Sequence, residues 1–221
     1  MACYLGFDGF RSGWVVAWID DHGRHGFDYS GCLTRLLSIS HKVAMIDIPI
    51  GLPDTGYRNC DLQAREWLGS SVFVGARRNL LAFKSPDEAN NYYWKHEGKG
   101  FGISRQLWCL RSKIKEVDDL MLPARQDQLR ETHPELIFWS RNRKRKLEGK
   151  KTAAGRQQRV EMLKNLGFAA IDSWLMLRSH TGIGRDDLID ACACAIAARD
   201  AKLVIGGGKA DSRGLRMEMH Y

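Results

Sequence analysis

Five carboxylates stand where the surrounding residues are apolar or where a helix should begin. Asp8 follows the apolar run from Cys3, and Asp47 lies inside Val43–Ile50, the most apolar run of the chain. Glu135 follows His133-Pro134, and Asp187 and Asp190 belong to Gly184-Arg-Asp-Asp-Leu-Ile-Asp190. A buried carboxylate is costly unless it is paired, hydrogen-bonded or metal-bound. Asp187 and Asp190, three residues apart, share a helix face. Asp190 leads into Ala191–Ala198, small apolar residues that must pack closely on something. Each acid also has a plainer explanation: Asp8 as a turn cap before Gly9, Asp47 as an acceptor for loop amides after Pro49, Glu135 as a first-turn helical acid after Pro134. Acids at the start of a helix need no more than its dipole. If the acids converge, the chemistry is that of hard divalent cations, Mg²⁺ or Mn²⁺, bound by Asp8, Asp47 and Asp187 with Glu135 and Asp190 assisting. Such ions take oxygen ligands, and a pair about 3.5–4 Å apart can activate water and stabilise the leaving oxygen in phosphodiester hydrolysis.

The opposite charge is concentrated elsewhere. The segment Arg141–Arg159 carries many Lys and Arg residues with Glu148 as its single acid, within a chain whose net charge is +8. Such a cluster supplies salt-dependent, sequence-independent affinity for phosphates, or is simply a solvated surface. Lys151 and Arg156 are candidates to approach a scissile phosphate, and Arg11 is placed to serve Asp8. Neither Gly98-Lys-Gly-Phe-Gly102 nor Gly206-Gly-Gly208 has the spacing of a phosphate-binding loop. The six cysteines form no C-x-x-C pair and the seven histidines show no ligand spacing, so free thiols are expected and a zinc site is not.

The elements that must position these groups read as an α/β fold. Cys3–Asp8, Trp14–Ile19 and Arg24–Tyr29 suggest three strands in an antiparallel meander, turned at Asp20-Asp21-His22-Gly23. A short helix follows at Leu33–Ser40, and then Val43–Ile50, whose unbroken apolar character suits a strand buried on both faces in a parallel arrangement. If that strand lies beside the first, Asp8 and Asp47 emerge at one sheet edge, where ligands of open α/β sheets gather. Helices are expected at Asn59–Leu68, Pro86–Glu97 and Ile103–Leu122, with Ser70–Ser85 as loop; residues from about 57 to 125 thus read as a helical insertion. Beyond it come a brief strand at Leu129–Thr132, helices at Leu136–Arg143, Ala153–Leu166, Asp172–Arg178 and Asp187–Asp200, a short strand at Lys202–Ile205, and a tail from Leu215 to Tyr221 that alternates as a strand does.

The ordered set Asp8-Gly-Phe-Arg11-x-Gly-Trp-Val15, Ile46-Asp-Ile-Pro-Ile-Gly-Leu-Pro53, Arg58-x-Cys-Asp61, Ala64-Arg65, Ser71-Val-Phe73, His133-Pro-Glu135 and Asp186-Asp-Leu-Ile-Asp-Ala191 resembles a domain-of-unknown-function family described as predicted RNase H-like nucleases. The resemblance runs from Gly6 to about Ala198 and includes Gly214-Leu-Arg-Met-Glu218; the block around Asp47 and the His-Pro-Glu triplet are its most specific parts. One departure is Val74-Gly-Ala76, where prolines are expected after the Phe. The resemblance implies a single RNase H-like domain, a five-stranded mixed sheet flanked by helices, with Asp8, Asp47, Glu135 and Asp187 or Asp190 lining the site.

The sequence therefore sets out a divalent-metal-dependent nuclease acting on DNA or RNA. Its alternatives are an inactive nucleic-acid-binding protein of the same fold and a hydrolase of small nucleotides or phosphoesters. With 44% hydrophobic and 27% charged residues the chain is globular. No apolar run nears the roughly 20 residues of a membrane span, and Asp8 and Arg11 arrive too early for a secretion signal. A cytoplasmic protein is expected; the oligomeric state is left open, a homo-oligomer included.

Overall fold

The computed structural model describes residues 3–178 and 181–221. Its chain divides into two compact units. The first holds the chain up to Asp47 together with Asp127–Leu203 and His220–Tyr221, and the second holds Ile48–Gln126 and Val204–Met219.

The first unit is built on a five-stranded mixed sheet. Strands β1 (Cys3–Phe10), β2 (Gly13–Asp20) and β3 (His25–Ser30) form the expected antiparallel meander. Strands β4 (Val43–Ile46) and β5 (Leu129–Glu131) add in parallel on the other side of β1, giving the order β3-β2-β1-β4-β5. The α/β class and the mixed sheet flanked by helices are those anticipated from the sequence. The strand centred on Met45 is shorter than its apolar run suggested. It stops at Ile46, and Pro49, which has no N–H for a ladder, lies beyond the paired region. Asp47 consequently stands just past the strand end rather than within it. Asp8, by contrast, lies inside its strand, since β1 continues to Phe10.

Helix α1 (Leu33–Leu37) joins β3 to β4. Helices α5 (Pro134–Arg141), α6 (Ala153–Asn165), α7 (Ile171–Leu177) and α8 (Arg185–Asp200) complete this unit. Helix α8 is buried from Leu188 to Ala198 and lies across β1 and β2. Its run of alanines and cysteines is what allows the approach: a Cβ on Gly6 of β1 would meet the Ala195 amide nitrogen at 2.0 Å and the Ala191 carbonyl oxygen at 2.2 Å. Trp14, Val15 and Ala17 of β2 are fully buried, as are Leu163 of α6 and Phe168. His25 and Phe168 each pack on Trp174 of α7, with ring centroids 5.4 and 5.9 Å from it.

The second unit carries α2 (Asn59–Leu68), α3 (Pro86–His96) and α4 (Arg105–Leu120). The expected loop after α2 contains two short 3-10 turns, Gly69–Ser71 and Arg78–Ala82. Ser85 and Ser104 cap α3 and α4 by accepting from the Glu88 and Leu107 amides. Ion pairs fasten this unit internally. Fully buried Arg58 donates through Nε to Asp61 at 3.0 Å and through Nη1 to the Ile50 carbonyl at 3.2 Å, so Arg58-x-Cys-Asp61 closes a structural clasp. Arg78 bridges Asp118 at 2.9 Å and Asp211 at 2.5 Å. Strand β6 (Val204–Ile205) follows α8, and of the alternating tail only β7 (Met219–His220) is a strand, with Ala210 and Arg216 joined by an isolated bridge. Among the described residues no helix is long and apolar enough to cross a membrane. All six cysteines are free; Cys60, Cys192 and Cys194 are buried, whereas Cys32 and Cys109 are exposed.

Candidate metal centre

Register places the first two acids. Parallel pairing aligns Gly6 with Met45 and Phe7 with Ile46, and the Asp47 amide donates to the Phe7 carbonyl at 3.2 Å. The next position along each strand is Asp8 on one and Asp47 on the other, side by side where β4 ends. Gly6 and Asp8 are two residues apart on β1, so both face the same side of the sheet. Gly6 meets α8 at Ala191–Ala195, and one turn earlier that helix carries Asp190 and Asp187. Backbone packing alone therefore turns the Asp8 carboxylate toward the start of α8.

The third segment is the beginning of α5. The helix starts at Pro134, two residues earlier than its apolar pattern suggested, because proline suits the first helical position. Glu135 is thus in the first turn of α5 and not at the end of a strand; β5 has already finished at Glu131. His133 stands at the N-cap position of the same helix without a side-chain capping bond, and lies close enough to Asp47 to favour its ionised form.

These placements bring Asp8, Asp47, Glu135, Asp187 and Asp190 into one electrostatic cluster within the first unit. Burial raises the Asp8 carboxyl well above its ordinary value, and Asp190, Asp47 and Asp187 raise it further against one hydrogen bond from the Gly9 amide at 2.8 Å. Asp47 is raised by burial and by Glu135, while His133 and Lys150 pull it down. Burial pushes Asp190 up to about 6, with Lys150 opposing and Asp47 and Glu135 adding to the rise. Asp8 and Asp47 each retain some exposure to solvent. Asp190 is 4% exposed, and its Oδ1 is a buried acceptor with no hydrogen-bond partner.

The five acids are not equivalent. Glu135 is clasped by Arg159, which donates Nε to Oε1 at 2.8 Å and Nη2 to Oε2 at 2.6 Å. Asp187 accepts the Gly184 amide at 2.7 Å, a capping interaction at the first turn of α8. Asp190 pairs with Lys150, whose Nζ lies 3.1 Å from Oδ2. Sequence reasoning passed over two of these cations. Lys150 and Arg159 were part of an undifferentiated basic run, and only the fold distinguishes them from their neighbours. His133 was visible in the His-Pro-Glu triplet, though without a role. Of the expected substrate-side cations, Arg11, placed by the sequence to serve Asp8, is exposed on the β1–β2 turn, Lys151 is exposed, and Arg156 donates to the Lys151 carbonyl at 3.1 Å.

Carboxylate oxygen is the donor type that hard divalent cations take. The five acids offer carboxylate oxygens, one of them a buried acceptor lacking a donor, and the Asp8 and Asp190 carboxyls are raised first by burial and then by neighbouring acids. A soft or imidazole-preferring metal finds no thiolate among these five acids.

A family model described as "Protein of unknown function (DUF429)" matches residues 6–213. No curated protein and no solved structure matches the chain.

Proposed function

We propose that this chain, which belongs to the DUF429 family, is a divalent-metal-dependent nuclease that hydrolyses phosphodiester bonds of DNA or RNA. The observation that carries the reading is the side-by-side register of Asp8 and Asp47 on adjacent parallel strands, with Asp190 on the helix crossing them keeping a buried acceptor oxygen that lacks a donor. Those three would hold Mg²⁺ or Mn²⁺, and a cation bound there supplies a Lewis acid for the phosphate and an acidified water.

The remaining residues have separable tasks. Asp187 stiffens the first turn of α8 and so fixes the direction of Asp190. Arg159 holds Glu135 in place, leaving its charge to act on Asp47 and Asp190 at close range. The exposed cations Arg143, Lys144, Arg145, Lys146 and Lys151 supply a phosphate-attracting surface on the same unit. The partner is nucleic acid, held by its backbone charge, with no base-reading group assigned.

The test is cleavage of single- and double-stranded DNA and RNA in Mn²⁺ or Mg²⁺. Wild type is expected to cut at least one of them, chelator to stop it, and Asp47→Asn to abolish it in a folded protein. Salt-sensitive binding with no cleavage under any of these conditions would instead mean a binding module.

A further inference from the structure

Two of the sequence blocks that carry the family resemblance, Ala64-Arg65 and Ser71-Val-Phe73, take no part in the acid cluster. They meet in the second unit. Val72 is 1% exposed; its amide donates to the Gly69 carbonyl at 3.3 Å, and its carbonyl accepts from Arg65 Nη1 of α2 at 3.0 Å. The backbone that carries Phe73 is thus pinned from both sides, yet its ring is left out of the core. Phe73 is 37% exposed, and among the described residues it stacks on no other ring. It lines a groove of about 660 Å³ together with Arg105, Gln106, Cys109 and Leu110 of α4. The start of that helix is fixed as well. Asn90 Oδ1 accepts the Ile103 amide at 2.7 Å, its Nδ2 donates to the Ile103 carbonyl at 3.4 Å, and Ser104 caps the first turn. Both walls of the groove therefore rest on anchored backbone.

We infer that this groove holds one nucleotide, its base stacked on Phe73 and its phosphate on Arg105. The inference rests on the proposed action on nucleic acid for the kind of ligand, and it gives that ligand a second place on the chain. The lining has the character of a ligand site, apolar and aromatic surface with a few polar groups at one end. Phe73, Cys109 and Leu110 supply the apolar part. Arg105 and Gln106 are adjacent in the first turn of α4, exposed, and without a side-chain hydrogen bond or ion pair among the described residues. Other cations of the same helix are engaged: Arg111 donates to the Phe83 carbonyl and lies 4.1 Å from the centre of the Trp108 ring, and Lys115 pairs with Asp119 at 2.7 Å.

Charge and shape select the occupant together. No acid lines the groove, so its guanidinium calls for an anion. A phosphate meets a guanidinium through two parallel hydrogen bonds. The exposed ring calls for a flat partner, and every nucleobase has a face that stacks on an aromatic side chain whatever its sequence. A nucleotide joins these two groups in one small unit. Cys109 lies in the same groove as an exposed free thiol, whereas Cys32, the other exposed thiol, belongs to the first unit. Alkylation of Cys109 thus reports occupancy of the groove, and Cys32 serves as the control.

The experiment is iodoacetamide alkylation of the full chain in EDTA, read at each cysteine by peptide mass spectrometry. The probes are adenosine monophosphate, a short oligoadenylate, adenosine and ribose 5-phosphate. The first two are expected to slow alkylation of Cys109 and leave Cys32 unchanged. Adenosine and ribose 5-phosphate, each lacking one of the two contacts, should need about tenfold higher concentrations for the same protection. Phe73→Ala and Arg105→Gln, both at exposed positions, should each raise the half-protecting concentration of adenosine monophosphate by about tenfold, measured against the variant's own unliganded rate. Absence of protection by both adenosine monophosphate and oligoadenylate, or undiminished protection in either variant, would overturn the assignment. Stronger protection by oligoadenylate marks a strand as the occupant and equal protection marks a free nucleotide, and each supports the groove. Chelator separates this result from the metal-dependent reading: cleavage in Mn²⁺ without protection of Cys109 removes the groove and keeps the nuclease, whereas protection without cleavage does the reverse.

Discussion

At the scale of single residues the acids of the cluster differ in their partners, from the arginine-clasped Glu135 to Asp8 with a single backbone donor, and substitutions should separate them. Arg159 is 3% exposed and Glu135 15% exposed, so removing the arginine leaves a half-buried carboxylate without its partner. Arg159→Met should cost about 3–5 kcal/mol in urea unfolding, and the double variant Glu135→Leu with Arg159→Met should recover most of that loss. Asp8 behaves oppositely. Its charge is opposed by burial and by three neighbouring acids, so Asp8→Asn should raise the stability of the metal-free protein by about 1–3 kcal/mol at pH 8 while abolishing cleavage. A loss of stability in that variant would mean that the carboxylates are not crowded. Asp8 and Asp47 could be singled out from the sequence because a charge in an apolar run is conspicuous. Lys150 could not be, because its distinction rests on a contact 40 positions away in sequence and its immediate neighbours are also basic.

At the scale of elements, two glycines set the geometry. Gly6 lets α8 lie directly on β1, and the contact atoms are backbone, which cannot swing aside. Gly6→Ala should therefore cost about 3 kcal/mol or more, measured by denaturant unfolding, since α8 must shift. Gly155 does the same for the Lys150 loop, since a Cβ there would meet the Gly149 carbonyl oxygen at 2.2 Å. The meander, the parallel strand near Met45 and the late helix were all readable from apolar patterns. The end of β4 and the start of α5 were not. At both places a proline close to an apolar run decided the boundary: Pro49 cannot serve the ladder, and Pro134 opens a helix earlier than the apolar spacing shows. Those shifts matter to the site, since they place Asp47 at a strand end and Glu135 in a helical first turn.

At the scale of the whole molecule the cluster should couple pH, metal and stability. Asp190 titrates near 6 in the folded chain, above its ordinary 3.8, so the folded state holds a proton that the unfolded state has already lost. Its contribution is therefore unfavourable once pH exceeds the unfolded value, growing from about pH 4 to pH 6 and reaching on the order of 3 kcal/mol at neutrality. Asp8, raised further, extends the same trend upward. Metal-free protein should accordingly lose less stability between pH 6 and pH 8 once Asp8 and Asp190 are both replaced by Asn. Mn²⁺ should raise Tm at pH 8 and do little at pH 5, where protons occupy the same oxygens. The net charge of +8 includes an exposed basic loop and a largely buried acidic cluster on one unit.

The measurement that reaches the central claim most directly is a crystal structure of the wild-type chain soaked in Mn²⁺, with anomalous diffraction locating the ion. The account predicts a strong peak coordinated by oxygens of Asp8, Asp47 and Asp190. A map with no peak among these carboxylates at saturating Mn²⁺, or with the ion bound elsewhere, would contradict it.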